Sequence, residues 1–226
     1  MCARLSVTVA YALVSAILFG GGCAMHVPVS ESVLFHDGAT LPTHENTRGF
    51  GFAGTLAPTR APARVVGRRA HPDRARERED LVNGRQAGGG LFFASYDEQG
   101  RYAFAATLGV PVMGFDATLK IRGRNYLTVG YSGPGQVQAF LLHRTFNSPV
   151  LGAAVGIGGR YEEYAHDGDF MFDIDTERVA SIGGRGFVTL RENGDREGGI
   201  KAGMYAGYAP RLQSPVVSLT LTVGRF

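Results

Sequence analysis

The feature that most constrains the fold is a period-two alternation of apolar and polar residues through most of the chain. In residues 113–122, Met113, Phe115 and Leu119 fall on one face of an extended strand, and Asp116 and Lys120 fall on the other. A helix would bring the two charged residues into the apolar stripe, so the pattern predicts a β-strand. Segments of this kind, separated by turn-forming residues, predict ten strands near 48–57, 86–96, 101–110, 113–121, 125–132, 136–144, 150–163, 177–191, 198–209 and 215–226.

Composition agrees with an all-β chain and excludes some functions. Many of the 33 glycines lie inside apolar stretches, where a helix interior would lose roughly 1 kcal/mol for each glycine. The net charge of +3 is too small to indicate a nucleic-acid partner. The two cysteines, Cys2 and Cys23, both lie near the N-terminus. We therefore expect no disulfide or cysteine metal site in the body of the chain, and no cofactor.

The lengths of the segments and of their connections favour a membrane barrel. Most segments reach the length of a tilted transmembrane strand, about 9–11 residues. Short connections would alternate with longer ones, of which 58–85 and 164–176 are the longest, and this is typical of outer-membrane barrels. We expect residues 48–226 to form a closed antiparallel up-and-down transmembrane β-barrel of about ten strands, with eight as an alternative. Alternation alone does not show which face is inside, so a soluble barrel or sandwich remains the alternative.

The N-terminus is typical of an exported protein. Arg4 precedes an apolar run from Leu5 to Phe19, as in a secretory signal peptide of residues 1–22. The small residues before Cys23 resemble the lipobox of bacterial lipoproteins, which implies that Cys23 is acylated. The alternative is a plain signal peptide that is cut near Ala24. Residues 23–47 show no sustained period, and we interpret them as a periplasmic tether or N-terminal strap.

The C-terminal residue adds a second resemblance. Phe226 ends a predicted strand and resembles the terminal aromatic that outer-membrane barrels present to their assembly machinery. The resemblance implies a Gram-negative outer-membrane location with a periplasmic N-terminus. Its expected partners are membrane lipid, lipopolysaccharide and the barrel assembly machinery. The arginine-rich connection 58–85 could bind lipopolysaccharide phosphates, although a solvated loop is the favoured interpretation.

The face opposite the large apolar residues carries charges that we expect to lie in the lumen. Charges of both signs in a narrow, low-dielectric interior favour ion pairs that fill the barrel, and a narrow pore is the alternative. The candidate lumen charges are Asp116, Lys120, Arg160, Arg185, Arg191 and Lys201.

Enzymatic and metal-binding interpretations have weaker support. His143-Arg144-Thr145, with Glu162 or Glu163, resembles the arrangement in barrel lipid A deacylases, which implies a lipid A-modifying hydrolase as an alternative function. A lone histidine near a strand end is more often structural, so we predict no enzyme but a structural or interaction role. The connection 164–176 has four aspartates that could hold calcium, but a solvated acidic loop is favoured. They are Asp167, Asp169, Asp173 and Asp175.

Overall fold

The computed structural model describes residues 27–36, 48–58, 85–97, 99–110, 113–132, 136–166, 175–191, 198–211 and 214–225. Within these ranges the chain forms ten β-strands and one short 3-10 helix, Ser30–Phe35. The strands are β1 (Arg48–Pro58), β2 (Arg85–Tyr96), β3 (Tyr102–Val110), β4 (Met113–Arg122), β5 (Asn125–Ser132), β6 (Gln136–Asn147), β7 (Leu151–His166), β8 (Asp175–Arg191), β9 (Gly199–Ala209) and β10 (Ser214–Arg225). Among the described residues, no helix combines the length and the apolar character needed to cross a lipid bilayer.

The strands form one closed sheet. Each strand pairs antiparallel with its neighbours in sequence, and β1 closes the ring by pairing with β10, from Phe50 opposite Arg225 to Leu56 opposite Leu219. Over the described ranges this confirms the predicted closed, antiparallel, up-and-down barrel of ten strands. The strand ends lie within a few residues of the predicted ones because turn-forming residues interrupt the alternation there.

The two faces of the sheet differ in polarity, and the charged face is the inner one. On β4, Phe115 is 58% exposed on the outer surface, while the neighbouring Asp116 is 4% exposed inside the barrel. In β6 the three consecutive apolar residues Phe140, Leu141 and Leu142 leave the faces undecided in the sequence. In the structure Phe140 and Leu142 point inward, and Leu141 points outward.

The ends of the barrel differ in their connections. Strands β2, β4, β6 and β8 end at one end of the barrel, where β1 starts and β10 ends; we call this the short-turn end. The connections 59–84 and 167–174 lie between strands that meet at the opposite end, which we call the long-connection end. Both connections lie outside the described residues.

Residues 27–36, which belong to the expected tether or N-terminal strap, lie inside the barrel. We call them the plug segment, because each of them is buried within the ring of strands. Their sequence explains this position: Val29, Val33, Leu34 and Phe35 bury apolar side chains in the lumen, and the 3-10 helix supplies some backbone hydrogen bonds. Residues 1–26, which include the predicted signal peptide and Cys23, lie outside the described residues, as do residues 37–47.

Candidate functional site: the lumen and its plug segment

The N-terminal end of the 3-10 helix is bound by a carboxylate of the barrel wall. The Val29 N–H donates to Asp116 Oδ1 at 3.2 Å, and the Ser30 N–H donates to Asp116 Oδ2 at 2.7 Å. The Ser30 hydroxyl also hydrogen-bonds the Thr118 hydroxyl at 2.8 Å, and Thr118 hydrogen-bonds Thr128 at 2.8 Å. The first N–H groups of a helix have no partner within the helix and carry partial positive charge. Asp116 therefore satisfies donors that would otherwise be buried without a hydrogen bond.

The C-terminal end of the same helix meets two arginines. Arg144 Nη1 donates to the carbonyl of Leu34 at 2.8 Å, and Arg191 Nη1 approaches the carbonyl of Phe35 at 3.4 Å. Arg191 also donates to the side chain of Asn147, which helps to hold its guanidinium in place. Cations complement the partial negative charge at the end of a helix. The wall thus presents charges of opposite sign to the two ends of the plug segment.

Glu31 of the plug segment lies between two cations of the wall. Its Oε2 is 2.9 Å from Arg185 Nη2 and 3.8 Å from Lys201 Nζ, and all three side chains are buried. Lys201 Nζ also donates to the carbonyl of Pro28 at 2.6 Å. Breaking a buried ion pair from one side costs roughly 3–5 kcal/mol, because the remaining charge stays in a low dielectric. Glu31 is therefore a main attachment of the plug segment to the wall.

Aromatic rings surround these cations. The Arg160 guanidinium carbon lies 3.9 Å from the centroid of the Tyr205 ring, and that of Arg185 lies 5.4 Å from the centroid of Phe140. The Lys201 ammonium lies 5.4 Å from the ring of Phe187. Cation–π contacts of this kind are worth about 2 kcal/mol or more where water is excluded. The rings compensate in part for removing three cations from water.

The C-terminal end of the plug segment contacts the end of β2 and the turn between β2 and β3. The ring of His36 stacks on Tyr96, with centroids 4.5 Å apart. A Cβ at position 100 would collide with the His36 carbonyl, and Gly100 has φ +63°, so both space and backbone geometry favour glycine there. In the same turn Arg101 Nε donates to Asp97 Oδ2 at 3.0 Å, and this hydrogen bond holds the pKa of the Asp97 carboxyl below its ordinary value.

The structure brings most of the predicted lumen charges together around the plug segment. Asp116, Arg160, Arg185 and Lys201 are buried in the lumen. Lys120 and Arg191 are partly buried, and Lys120 Nζ lies 5.9 Å from the ring of Tyr126. Phe226, the predicted assembly signal, lies outside the described residues, as does the lipidation candidate Cys23.

Sequence reasoning misses three charged residues of the lumen. In the sequence, Glu31 belongs to the expected tether. Arg144 and Glu162 are named there only as part of the resemblance to lipid A deacylases. In the structure Glu162 is 4% exposed and its Oε1 is 4.0 Å from Arg160 Nη1. One signal is present in the sequence: the predicted inner face pairs five cations with the single carboxylate of Asp116. Because buried cations need partners, this imbalance points to an anion from elsewhere in the chain.

The structure separates His143 from Glu162, one of the two candidate glutamates, and the side chain of the other, Glu163, lies outside the described part of the structure. His143 is exposed on the outer surface, where its Nδ1 is hydrogen-bonded to Asn125 Oδ1 at 2.8 Å. The Thr145 hydroxyl donates to the carbonyl of Ala153 at 3.0 Å. His143 pairs with Val155, which places it about 23 Å along the strand from Glu162. Glu162 also faces the lumen, on the opposite side of the sheet.

The calcium hypothesis falls largely outside the described residues. Asp167, Asp169 and Asp173 belong to the connection that the structure does not describe, and Asp175 is described only as the first residue of β8. Among the described residues, no three His, Cys, Asp or Glu side chains lie close enough together to hold a metal ion.

Comparison of the sequence with protein-family models and with curated proteins gives no match.

Proposed function

We propose that the protein is an integral β-barrel of a Gram-negative outer membrane, with a structural or interaction role and a lumen closed by its own N-terminal segment. The observation that carries this proposal is the polarity of the sheet. Phe104, Phe115 and Ile157 are 58–70% exposed on the outer surface, while Arg185 and Lys201 are buried inside. Hydrocarbon accommodates such an outer surface, and a closed barrel leaves no strand edge unpaired in it.

The outward aromatic side chains support the same proposal. Tyr131, Tyr161 and Tyr208 are exposed on strands near the long-connection end. Tyr102 and Phe146 are exposed near the short-turn end. Transmembrane barrels carry aromatic girdles at the two membrane–water interfaces, because an amphipathic ring is stable at the headgroup level. Membrane lipid and lipopolysaccharide are therefore the proposed surroundings, and the barrel assembly machinery is the proposed route of insertion.

The filled lumen supports a structural or interaction role rather than a pore. The plug segment is buried across its whole described length and is attached to the wall at Asp116, Arg144 and Arg185. The separation of His143 from Glu162 weakens the alternative of a lipid A-modifying hydrolase. Acylation of Cys23 stays a prediction from the sequence.

Membrane fractionation of the full chain tests the proposal. When the protein is produced in a Gram-negative host, we expect it to sediment with outer membranes and to stay in the pellet after washing in alkaline carbonate. The unboiled protein should migrate faster on a denaturing gel than the boiled protein, because a closed barrel resists unfolding in detergent. Release into the soluble fraction by carbonate, without detergent, would overturn the proposal.

A further inference from the structure

We propose that the lumen wall contains a binding site for a small organic carboxylate, and that Glu31 is its built-in occupant. The site consists of Arg185 and Thr189 on β8, Lys201 on β9 and Arg160 on β7. These four side chains are each at most 3% exposed. Arginine is suited to this role because its planar guanidinium can donate two parallel hydrogen bonds to one carboxylate.

The site has more hydrogen-bonding capacity than Glu31 uses. Within the described part of the chain, Arg185 Nε, Nη1 and Nη2 have no hydrogen-bond acceptor, and neither carboxylate oxygen of Glu31 accepts a hydrogen bond. Arg185 and Glu31 therefore interact as an ion pair, with Nη2 2.9 Å from Oε2. The Thr189 hydroxyl, on the residue that pairs with Lys201, also lacks a partner within the same ranges. Buried donors without acceptors are costly. A free carboxylate could turn both its oxygens toward the Arg185 fork, which the tethered Glu31 side chain does not do.

The charge of the wall favours an anion over other ligands. Among the lumen-facing side chains that the structure describes, cations outnumber carboxylates. The cations are Lys120, Arg144, Arg160, Arg185, Arg191 and Lys201, and the wall carboxylates are Asp116 and Glu162. Withdrawal of Glu31 leaves Arg185 and Lys201 without their shared carboxylate. The vacated site therefore attracts an anion of the same chemistry.

The occupant belongs to a part of the chain that is separate from the barrel sheet. The plug segment joins the wall through side chains and through hydrogen bonds to its helix ends, and its residues are not strand partners in the closed sheet. Exchange of Glu31 for a free carboxylate can therefore leave the strand pairing intact. A solute carboxylate that binds here competes with the plug segment for the lumen.

Chemical rescue of Glu31→Ala in the full chain tests the site. The substitution removes CH₂–COO⁻, and acetate has the size and charge of the missing group. We expect Glu31→Ala to lower the thermal unfolding midpoint in detergent by about 10 °C, since two buried cations lose their carboxylate. Acetate should restore most of this loss, while acetamide and chloride at equal concentration should not. Wild type should be stabilised by acetate far less than Glu31→Ala, because Glu31 competes with acetate for the site.

The matched control is the double variant Glu31→Ala/Arg185→Met, which keeps the cavity but lacks the guanidinium. Rescue by acetate should disappear in it. Equal stabilisation by acetate and acetamide, or equal rescue of the single and double variants, would overturn the proposal. If Glu31→Ala does not fold without added ligand, a second measurement replaces the thermal one. The variant is refolded from urea into micelles, and its yield in acetate is compared with its yield in acetamide. An equal yield in the two then counts against the site.

Discussion

Because Gly152 has no side chain, the ring of Phe35 can pack against its backbone inside the barrel. A Cβ at position 152 would lie 2.6 Å from Cδ1 of Phe35. The ring cannot easily move away, because it packs edge-on against Phe187 with centroids 5.9 Å apart. Overpacking of this kind typically costs about 1–3 kcal/mol. We therefore expect Gly152→Ala to destabilise the barrel by that amount, measured as the unfolding free energy in urea with detergent micelles.

Gly184 provides the matched control for this substitution. It faces outward, and a Cβ there would have its nearest contact at 3.7 Å, from the carbonyl of Gly156. Gly184→Ala should therefore change stability by less than about 0.5 kcal/mol. In a Phe35→Ala background the cost of Gly152→Ala should largely vanish, because the ring that it meets is gone. An undiminished cost in that background would contradict the proposed contact.

Asp116 is a second residue whose role can be measured. Asp116→Asn keeps the shape of the side chain but removes its charge. It leaves a single oxygen to accept the hydrogen bonds from the N–H groups of Val29 and Ser30. Hydrogen bonds to charged groups contribute about 1.5–3 kcal/mol, so we expect a loss in that range in the same urea assay. Asp97→Asn is the comparison, because the Asp97 carboxylate pairs with the exposed guanidinium of Arg101. Such pairs contribute at most about 1 kcal/mol. Equal losses for the two variants would argue against the capping role of Asp116.

The position of the plug segment in the lumen predicts that the barrel does not conduct ions. Wild-type protein should give flat current traces in planar bilayers, because the segment fills the lumen. Replacement of residues 27–36 by a glycine–serine sequence of equal length should produce stepwise openings. A potassium chloride gradient should then give a reversal potential that favours chloride, because the wall carries more cations than carboxylates. Equal conductance of the two proteins would contradict occlusion, and cation selectivity would contradict the assignment of the wall charges.

The strands are predictable from the sequence, and the plug segment is not. In β4 or β9 apolar and polar residues alternate, so a few residues are enough to predict a strand and to divide its side chains between two faces. The plug segment is too short to show a period, and its partners are far away in sequence. Ser30 and Asp116 are separated by 86 residues, and Pro28 and Lys201 by 173. Long-range pairing between single side chains leaves no local pattern, and only the excess of inner cations points to it.

At the scale of the whole molecule, closure of the sheet and the polarity of its faces follow from one pattern. An even number of strands, each long enough to cross the barrel, lets β1 pair with β10 and removes both sheet edges. The same alternation predicts that Asp116, Arg160, Arg185 and Lys201 share one face, and in the structure that face is the inner one, where all four are buried. It cannot identify Glu31 as the carboxylate shared by Arg185 and Lys201, because Glu31 belongs to no strand.

The proposed function depends on whether lipid or water surrounds the barrel. Arginine substitutions on the outer face can distinguish the two. Val129 is 45% exposed near the middle of β5, and Ile121 is 57% exposed near the short-turn end of β4. In a bilayer an outward arginine costs about 2–4 kcal/mol at mid-depth and about 0–1 kcal/mol near the interface. We therefore expect Val129→Arg to destabilise the protein folded into lipid vesicles far more than Ile121→Arg does. In a barrel surrounded by water, both arginines would be exposed to solvent, and the two variants would be equally stable.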